Sequence, residues 1–148
     1  MNYNYHTHTA LCSHATGTVD GYVERAIENG VKYMGFSDHI PYIRPDGKES
    51  YYRVPVEKGK LYCDEIKALG ERYKDKILLS VGFETEYYEE YFEDMLKSAI
   101  EYGAEYLILG QHFTEPEVHG ARHTVDETDN PEHLREYVSS VVLAMKKK

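Results

Sequence analysis

Four short apolar segments alternate with four amphipathic segments along this chain, and that order limits the folds it can adopt. The apolar segments have the length and residue types of β-strands, whereas the intervening segments repeat their apolar residues every three to four positions, as helices do. Strands are predicted at 3–9, 31–36, 77–83 and 106–110, and helices between Thr18 and Asn29, at 56–73, at 89–102 and from Pro131 to Met145. This alternation predicts parallel β/α units, and therefore an α/β fold.

The number of units narrows the architecture further. A closed (β/α) barrel needs about 250 residues, whereas this chain has 148. The chain is therefore either a small open α/β domain or the front part of a barrel. Nothing in the sequence marks a domain boundary, so we expect residues 1–148 to form a single domain.

Metal-binding residue types follow the end of every predicted strand. His6 and His8 are two positions apart in the first strand, so their side chains project from the same face. The later strands end in similar residues: Asp38 and His39, then Glu84, then His112. Active sites of parallel α/β folds form at the carboxyl ends of the strands, and imidazole with carboxylate suits Zn, Mn or Fe. The pattern favours a barrel and predicts a metal site.

Several of these side chains have a second interpretation. Asp38 could orient a ligand instead of binding metal itself, and Cys12 could be a soft ligand or only a small buried residue. Glu86 would face the same side as Glu84, but solvent exposure is an equal alternative. His14 lies in a loop and could be either a ligand or solvated. The remaining histidines are expected to be solvated: His119, His123 and His133.

Composition excludes some classes of function. There are 17 basic and 26 acidic residues, a net charge of -9, which disfavours binding to nucleic acid. No apolar run reaches the length of a membrane span and the N-terminus lacks a signal-peptide pattern, so we expect a cytoplasmic protein. The two cysteines suggest neither a disulfide framework nor a thiolate zinc finger.

Five motifs together resemble those of the PHP (polymerase and histidinol phosphatase) superfamily. They are Tyr5-His6-Thr7-His8-Thr9, Cys12-Ser13-His14-Ala15, Phe36-Ser37-Asp38-His39, Gly82-Phe83-Glu84 and Leu109-Gly110-Gln111-His112-Phe113. The similarity extends over essentially the whole chain and is greatest to PHP-type histidinol-phosphatases. It implies part of a distorted (β/α)7 TIM-like barrel with up to three divalent metals. It also implies hydrolysis of a small phosphate ester, L-histidinol phosphate, in histidine biosynthesis.

The resemblance implies a role for each motif residue. The implied ligands are divided among three metals: His6, His8 and Glu84 for the first, Glu84 and His112 for the second, and His14 and His39 for the third. Glu84 and His112 are the expected catalytic residues, and Asp38 would lie behind the ligands. Arg44 and Arg53, in the loop after the second strand, could bind the substrate, with Arg53 the better candidate.

The sequence departs from the family pattern at its end. The family supplies further ligands from a later His and from a C-terminal Asp-x-His, and neither follows the last helix here. We therefore expect a single PHP domain over 1–148 that stops before the C-terminal strands and binds fewer metals. Its last strand would be an open edge that could pair with a second copy.

Three alternatives remain open from the sequence. The chain could be another PHP phosphoesterase, or a metal-binding or self-associating remnant without catalysis. An open flavodoxin-like domain is also possible, although no glycine-rich phosphate loop follows the first strand.

Overall fold

The computed structural model describes residues 2–117 and 121–147, and within them four parallel strands form one sheet. The strands are β1 (Tyr3–Asn4), β2 (Tyr33–His39), β3 (Leu78–Thr85) and β4 (Tyr106–Leu109). Each strand pairs with the next one along the chain, in the order β1-β2-β3-β4. A helix lies in each connection between these strands, as parallel pairing requires. The predicted α/β alternation is confirmed.

Four helices pack with the sheet, and the first and last of them begin where the sequence predicted. The helices are α1 (Val19–Glu28), α2 (Gly59–Tyr73), α3 (Phe92–Tyr102) and α4 (Pro131–Lys146). Thr18 caps α1, because its hydroxyl accepts a hydrogen bond from the Gly21 amide at 3.1 Å. Gly103 ends α3 with a φ of 86°, a left-handed conformation that glycine adopts without steric cost.

The first strand is shorter than the predicted segment 3–9. The Asn4 side chain accepts a hydrogen bond from the His6 amide at 3.0 Å and donates one to the Thr7 hydroxyl at 3.1 Å. These local contacts interrupt the regular pairing after Asn4, although the Ser37 amide of β2 still donates to the Thr7 carbonyl oxygen at 2.9 Å. A short 3-10 turn follows at Ala10–Cys12. His6 and His8 therefore lie just beyond the strand and not within it.

Two other details differ from the predictions. A 3-10 turn at Val56–Lys58 precedes α2, and α3 starts three residues later than expected. Within α2, Ile66 and Leu69 are buried, whereas Leu61 is 65% exposed.

The core lies between the sheet and its helices. Phe36, Val81 and Phe83 point from β2 and β3 towards the helices and are fully buried. Tyr62 and Ile66 of α2 are buried in the same cluster. Burial of apolar surface contributes about 25 cal/mol per Å² to the stability of the fold. It thereby stabilises the strands whose carboxyl ends carry the polar residues.

The side chain of Tyr106 lies across the opposite face of the sheet. The Tyr106 hydroxyl lies 2.8 Å from the carbonyl oxygen of Tyr5 and 3.0 Å from that of Phe36, so the side chain reaches across three strands. It crosses β3 at Gly82 and β2 at Gly35, where a β-carbon would overlap Tyr106 at either position. The two glycines are required by this close approach.

The last helix differs from the other three because its apolar residues stay exposed. None of the described residues of α4 is buried. Its exposed apolar side chains are Leu134, Tyr137, Val138, Val142, Leu143 and Met145. Within residues 2–117 and 121–147, no helix is long and apolar enough to cross a lipid bilayer.

Candidate metal centre

A cleft of about 480 Å³ opens at the carboxyl ends of the strands, and histidine side chains surround it. Six of the described histidines line it: His6, His8, His14, His39, His112 and His123. The centres of neighbouring imidazole rings are between 4.9 and 6.1 Å apart. Register brings these groups together, because β2 pairs with β3 so that His39 lies beside Glu84.

Three of the cleft residues point their ligand atoms at one another. The Nε2 atoms of His6 and His8 are 3.1 Å apart, and they lie 3.2 Å and 3.1 Å from Oε2 of Glu84. Ligand atoms of a tetrahedral zinc ion, bonded at about 2.0–2.2 Å, are separated by about 3.3–3.6 Å. The three atoms therefore fit one cation after movements of a few tenths of an ångström.

Glu84 faces two groups of histidines, one with each oxygen. Its Oε2 faces His6 and His8 and lies 3.5 Å from Nε2 of His39, while its Oε1 lies 3.6 Å from Nε2 of His112. A carboxylate oriented in this way can bridge two cations. Its side chain is only 4% exposed, and burial of a carboxylate is costly without such partners.

The protonation states suit metal binding. Burial alone would raise the pKa of Glu84, but the hydrogen bond with His8 and the neighbouring histidines lower it to about 2. Burial lowers the pKa of His39 to about 3, against the opposing effect of Glu84. Glu84 is therefore ionised and His39 neutral at neutral pH, and these are the forms that bind metal.

His14 and His39 also line the cleft and lie next to each other. Their ring centres are 4.9 Å apart, and the ring of His8 is 4.9 Å from that of His39. His39 is buried and its Nδ1 has no hydrogen-bond partner among the described residues, whereas His14 is exposed. Their assignment to a third metal stays a prediction.

Asp38 lies behind the candidate ligand His8 and is completely buried. It accepts hydrogen bonds from the Thr9 amide at 2.5 Å, from the Thr9 hydroxyl and from the Cys12 thiol at 3.2 Å, and it lies 3.8 Å from Nδ1 of His8. Burial, together with Asp38, raises the pKa of Cys12 to about 12. Its sulfur also lies 3.3 Å from Nδ1 of His8, in a group with His14 that could hold a cation, so the assignment of Cys12 stays a prediction.

Comparison with known proteins identifies the lineage. The family model of the PHP domain matches residues 4–146. The chain belongs to the PHP domain family.

Relatives of this PHP domain are named as histidinol-phosphatases. A Deinococcus radiodurans protein named "Probable histidinol-phosphatase" is 30% identical over an alignment of 135 residues, which covers 89% of this chain and 46% of that protein. The histidinol-phosphatase of Bacillus subtilis is 28% identical over an alignment of 118 residues, which covers 73% of this chain and 42% of that protein. The chain thus spans about half the length of the curated relatives it matches.

A solved structure confirms the predicted fold class. Histidinol phosphate phosphatase of Lactococcus lactis, solved with zinc, L-histidinol and phosphate, superposes with a TM-score of 0.72 at 20% identity. The superposition covers 99% of this chain and 54% of that one. The four strands of this PHP domain are therefore a curled part of a barrel, as the positions of the ligands predicted.

The structure argues against a substrate contact for Arg53, the better of the two arginine candidates. Arg53 is 2% exposed, and its guanidinium is held by the carboxylates of Glu86 and Glu117. The sequence could not show this, because those partners are 33 and 64 residues away. Arg44 forms an ion pair with Asp46 at 2.7 Å, and its contact with substrate stays a prediction.

Sequence reasoning missed one residue beside the cleft and left a second one open. His123 was expected to be solvated, but it pairs with Phe113 in an isolated antiparallel bridge and lines the cleft. Glu86 is completely buried and not solvated, and its Oε1 lies 3.0 Å from Nδ1 of His112. His133 lies outside the cleft, and His119 falls outside the described residues. The only sequence signal for Glu86 was its spacing of two from Glu84.

Proposed function

We propose that this PHP domain acts in a metal-dependent phosphomonoester hydrolase, with L-histidinol phosphate as the substrate. The observation that carries the proposal is the convergence on Glu84 of four histidines from three segments of the chain. The names of the relatives support the substrate, and the matched PHP domain supports the class of reaction.

Imidazole and carboxylate groups suit Zn, Mn or Fe. His6, His8 and Glu84 would hold one cation, and a second would bind between Glu84 and His112. Bound cations would neutralise the phosphate and lower the pKa of a water molecule to about 7. Glu84 holds both parts of the site together, since each of its oxygens faces a different group of histidines. The Nε2 atoms of His6, His8 and His112 are all directed at Glu84.

His123 is suited to a different task. The amide of Val125 donates a hydrogen bond to its Nδ1 at 3.2 Å, so in the neutral ring the proton is on Nε2. A ring with Nε2–H is a hydrogen-bond donor and not a metal ligand. We therefore assign His123 to the phosphate oxygens of the substrate.

The walls of the cleft suit a flat heterocycle. Tyr51, Tyr52 and Phe113 line it beside the histidines, and Tyr52 and Phe113 are nearly parallel with ring centres 6.4 Å apart. Aromatic faces at the mouth of the site can stack on the imidazole ring of histidinol phosphate.

The open surfaces of the domain support a homo-oligomer. The β4 strand is at one edge of the sheet, and the apolar face of α4 is exposed nearby in sequence. We propose that self-association covers these surfaces, that the protein works in the cytoplasm, and that nucleic acid is not a partner.

The test is phosphate release from histidinol phosphate by the purified chain, with zinc or manganese added. We expect turnover that chelation abolishes and that Glu84→Gln reduces to the uncatalysed level. His133→Ala is the matched control, because His133 lies outside the cleft. Metal binding with no release under any of these conditions would instead favour a non-catalytic metal-binding domain.

A further inference from the structure

A buried ionic cluster lies behind His112, and it joins three loops at the carboxyl edge of the sheet. Arg53 comes from the loop after β2, Glu86 follows β3, and Glu117 follows β4. Their side chains are 1%, 0% and 3% exposed. Burying three charged side chains this close together is costly unless each one is paired. The partners of each charged group therefore indicate what that group does.

Both carboxylate oxygens of Glu86 are already used. Oε1 lies 3.0 Å from Nδ1 of His112, and Oε2 accepts a hydrogen bond from the Arg53 guanidinium at 2.5 Å. Glu86 lies within reach of a cation shared with His39 and His112. Occupied in this way, however, Glu86 is better placed to hold the imidazole of His112 than to bind a cation.

The guanidinium of Arg53 is fixed in its orientation. It donates to Oε1 of Glu117 from Nε at 2.9 Å and from the terminal nitrogen that also contacts Glu86, and to the backbone oxygen of Ile40 at 3.1 Å. The ring of Tyr42 packs 4.8 Å from its central carbon. The Tyr52 hydroxyl in turn donates to Glu117 at 2.5 Å. Arg53 therefore requires an acceptor at the Glu86 position.

We propose that Glu86, fixed by Arg53, is a positioning residue that keeps the proton of His112 on Nδ1 and so presents Nε2 to a cation beside Glu84. The inference rests on the metal centre of the proposed function. It gives the buried arginine a role that does not involve the substrate. Carboxylate partners of this kind set the tautomer and orientation of metal-binding histidines.

The variant that tests this is Glu86→Gln, which keeps the size of the side chain. Since Arg53 requires an acceptor, the amide oxygen would face Arg53 and the amide nitrogen would face His112. A donor at that position requires a lone pair on Nδ1, so the ring proton would move to Nε2. We expect the His112 ring in ¹⁵N-histidine-labelled protein, without metal and at a pH where it is neutral, to change from the Nδ1–H to the Nε2–H tautomer. Zinc affinity should fall about 10–100-fold.

Tyr42→Phe is the matched control. It keeps the ring beneath Arg53 and removes only the hydroxyl that accepts from the Glu117 amide at 3.3 Å. We expect it to leave the tautomer and the zinc affinity unchanged, even if the melting temperature falls.

Three results would overturn the proposal: an Nε2–H tautomer at His112 in the wild-type chain, wild-type zinc affinity in Glu86→Gln, or the same loss in Tyr42→Phe. The wild-type tautomer decides the question even if Glu86→Gln does not fold. Neither measurement needs turnover, so a chain without phosphatase activity would count against the proposed function alone.

Discussion

The two buried thiols show how local surroundings determine chemistry at the scale of single residues. Burial raises the pKa of Cys12 to about 12, with a contribution from Asp38, and burial raises that of Cys63 to about 11. Both pKa values lie above that of an exposed cysteine, so the fold favours the neutral thiols. Their contribution to stability is present below about pH 9 and is lost as the pH rises through these values.

We therefore predict that neither cysteine reacts with iodoacetamide in the native chain at pH 8. Mass spectrometry after a timed reaction measures this, and the same protein in guanidinium chloride should be labelled at both positions. Rapid labelling of the native protein at Cys12 would show that its thiol is more ionised and accessible than the structure indicates.

His123 provides a second prediction at this scale. Loss of a hydrogen bond to a charged group costs about 1.5–3 kcal/mol, so His123→Ala should weaken binding of inorganic phosphate to the zinc-loaded protein about tenfold or more. Zinc affinity itself should not change, because the Nδ1 contact with Val125 makes the ring a donor. Calorimetric titrations with zinc and then with phosphate separate the two effects, and a loss of zinc binding would identify His123 as a ligand.

The sequence indicated which residues line the cleft for a physical reason. His6, His8, Glu84 and His112 follow segments whose periodicity is clear, and parallel strands end at one edge of the sheet. The surroundings of Arg53 could not be predicted in this way. They depend on loops that come together only in the folded chain, and a loop arginine is usually solvated.

At the scale of elements, the contact of Tyr106 with two glycines fixes β4 against β3 and β2. A β-carbon at Gly82 would overlap the Tyr106 carbonyl oxygen and lie 2.9 Å from ring atoms. Gly70 in α2 offers a comparison, because a β-carbon there would have its nearest neighbour at 3.7 Å, which is an ordinary contact. The same substitution should therefore have opposite effects at the two positions.

We predict that Gly82→Ala lowers the free energy of unfolding by about 1–3 kcal/mol, as overpacking does. Gly70→Ala should raise it by up to about 1 kcal/mol, because alanine favours a helix. Urea denaturation measures both. Equal stability of the two variants would mean that Tyr106 does not lie across the sheet as described.

Helix caps were predictable because they depend on adjacent residues, as at Thr18 and Gly103. The end of β1 was not, since it depends on hydrogen bonds of the Asn4 side chain that compete with pairing to β2. The carboxyl ends of β2 and β3 also continue into polar residues, where pairing of His39 with Glu84 outweighs the loss of the apolar pattern.

At the scale of the whole molecule, the exposed face of α4 is the surface that most needs a partner. Leu134 on α4 and Leu61 on α2 are 64% and 65% exposed, so the two leucines are equally accessible. They differ in their surroundings, because Leu134 belongs to a helix whose other apolar residues are also exposed.

We predict that the chain self-associates at micromolar concentration and that Leu134→Lys shifts it towards the monomer, whereas Leu61→Lys does not. Sedimentation velocity across a concentration series measures the shift. A wild-type chain that stays monomeric throughout, or equal effects of the two variants, would show that the α4 face does not mediate association.

The order of the strands in the sheet has a consequence for synthesis on the ribosome. Each strand pairs with the one made just before it, and the three atoms that meet around one cation, from His6, His8 and Glu84, all belong to the first 84 residues. A nascent chain thus contains this trio before β4 and α4 have been translated. The residues of β4 and α4 are then synthesised after those of the trio, in the order in which the strands pair.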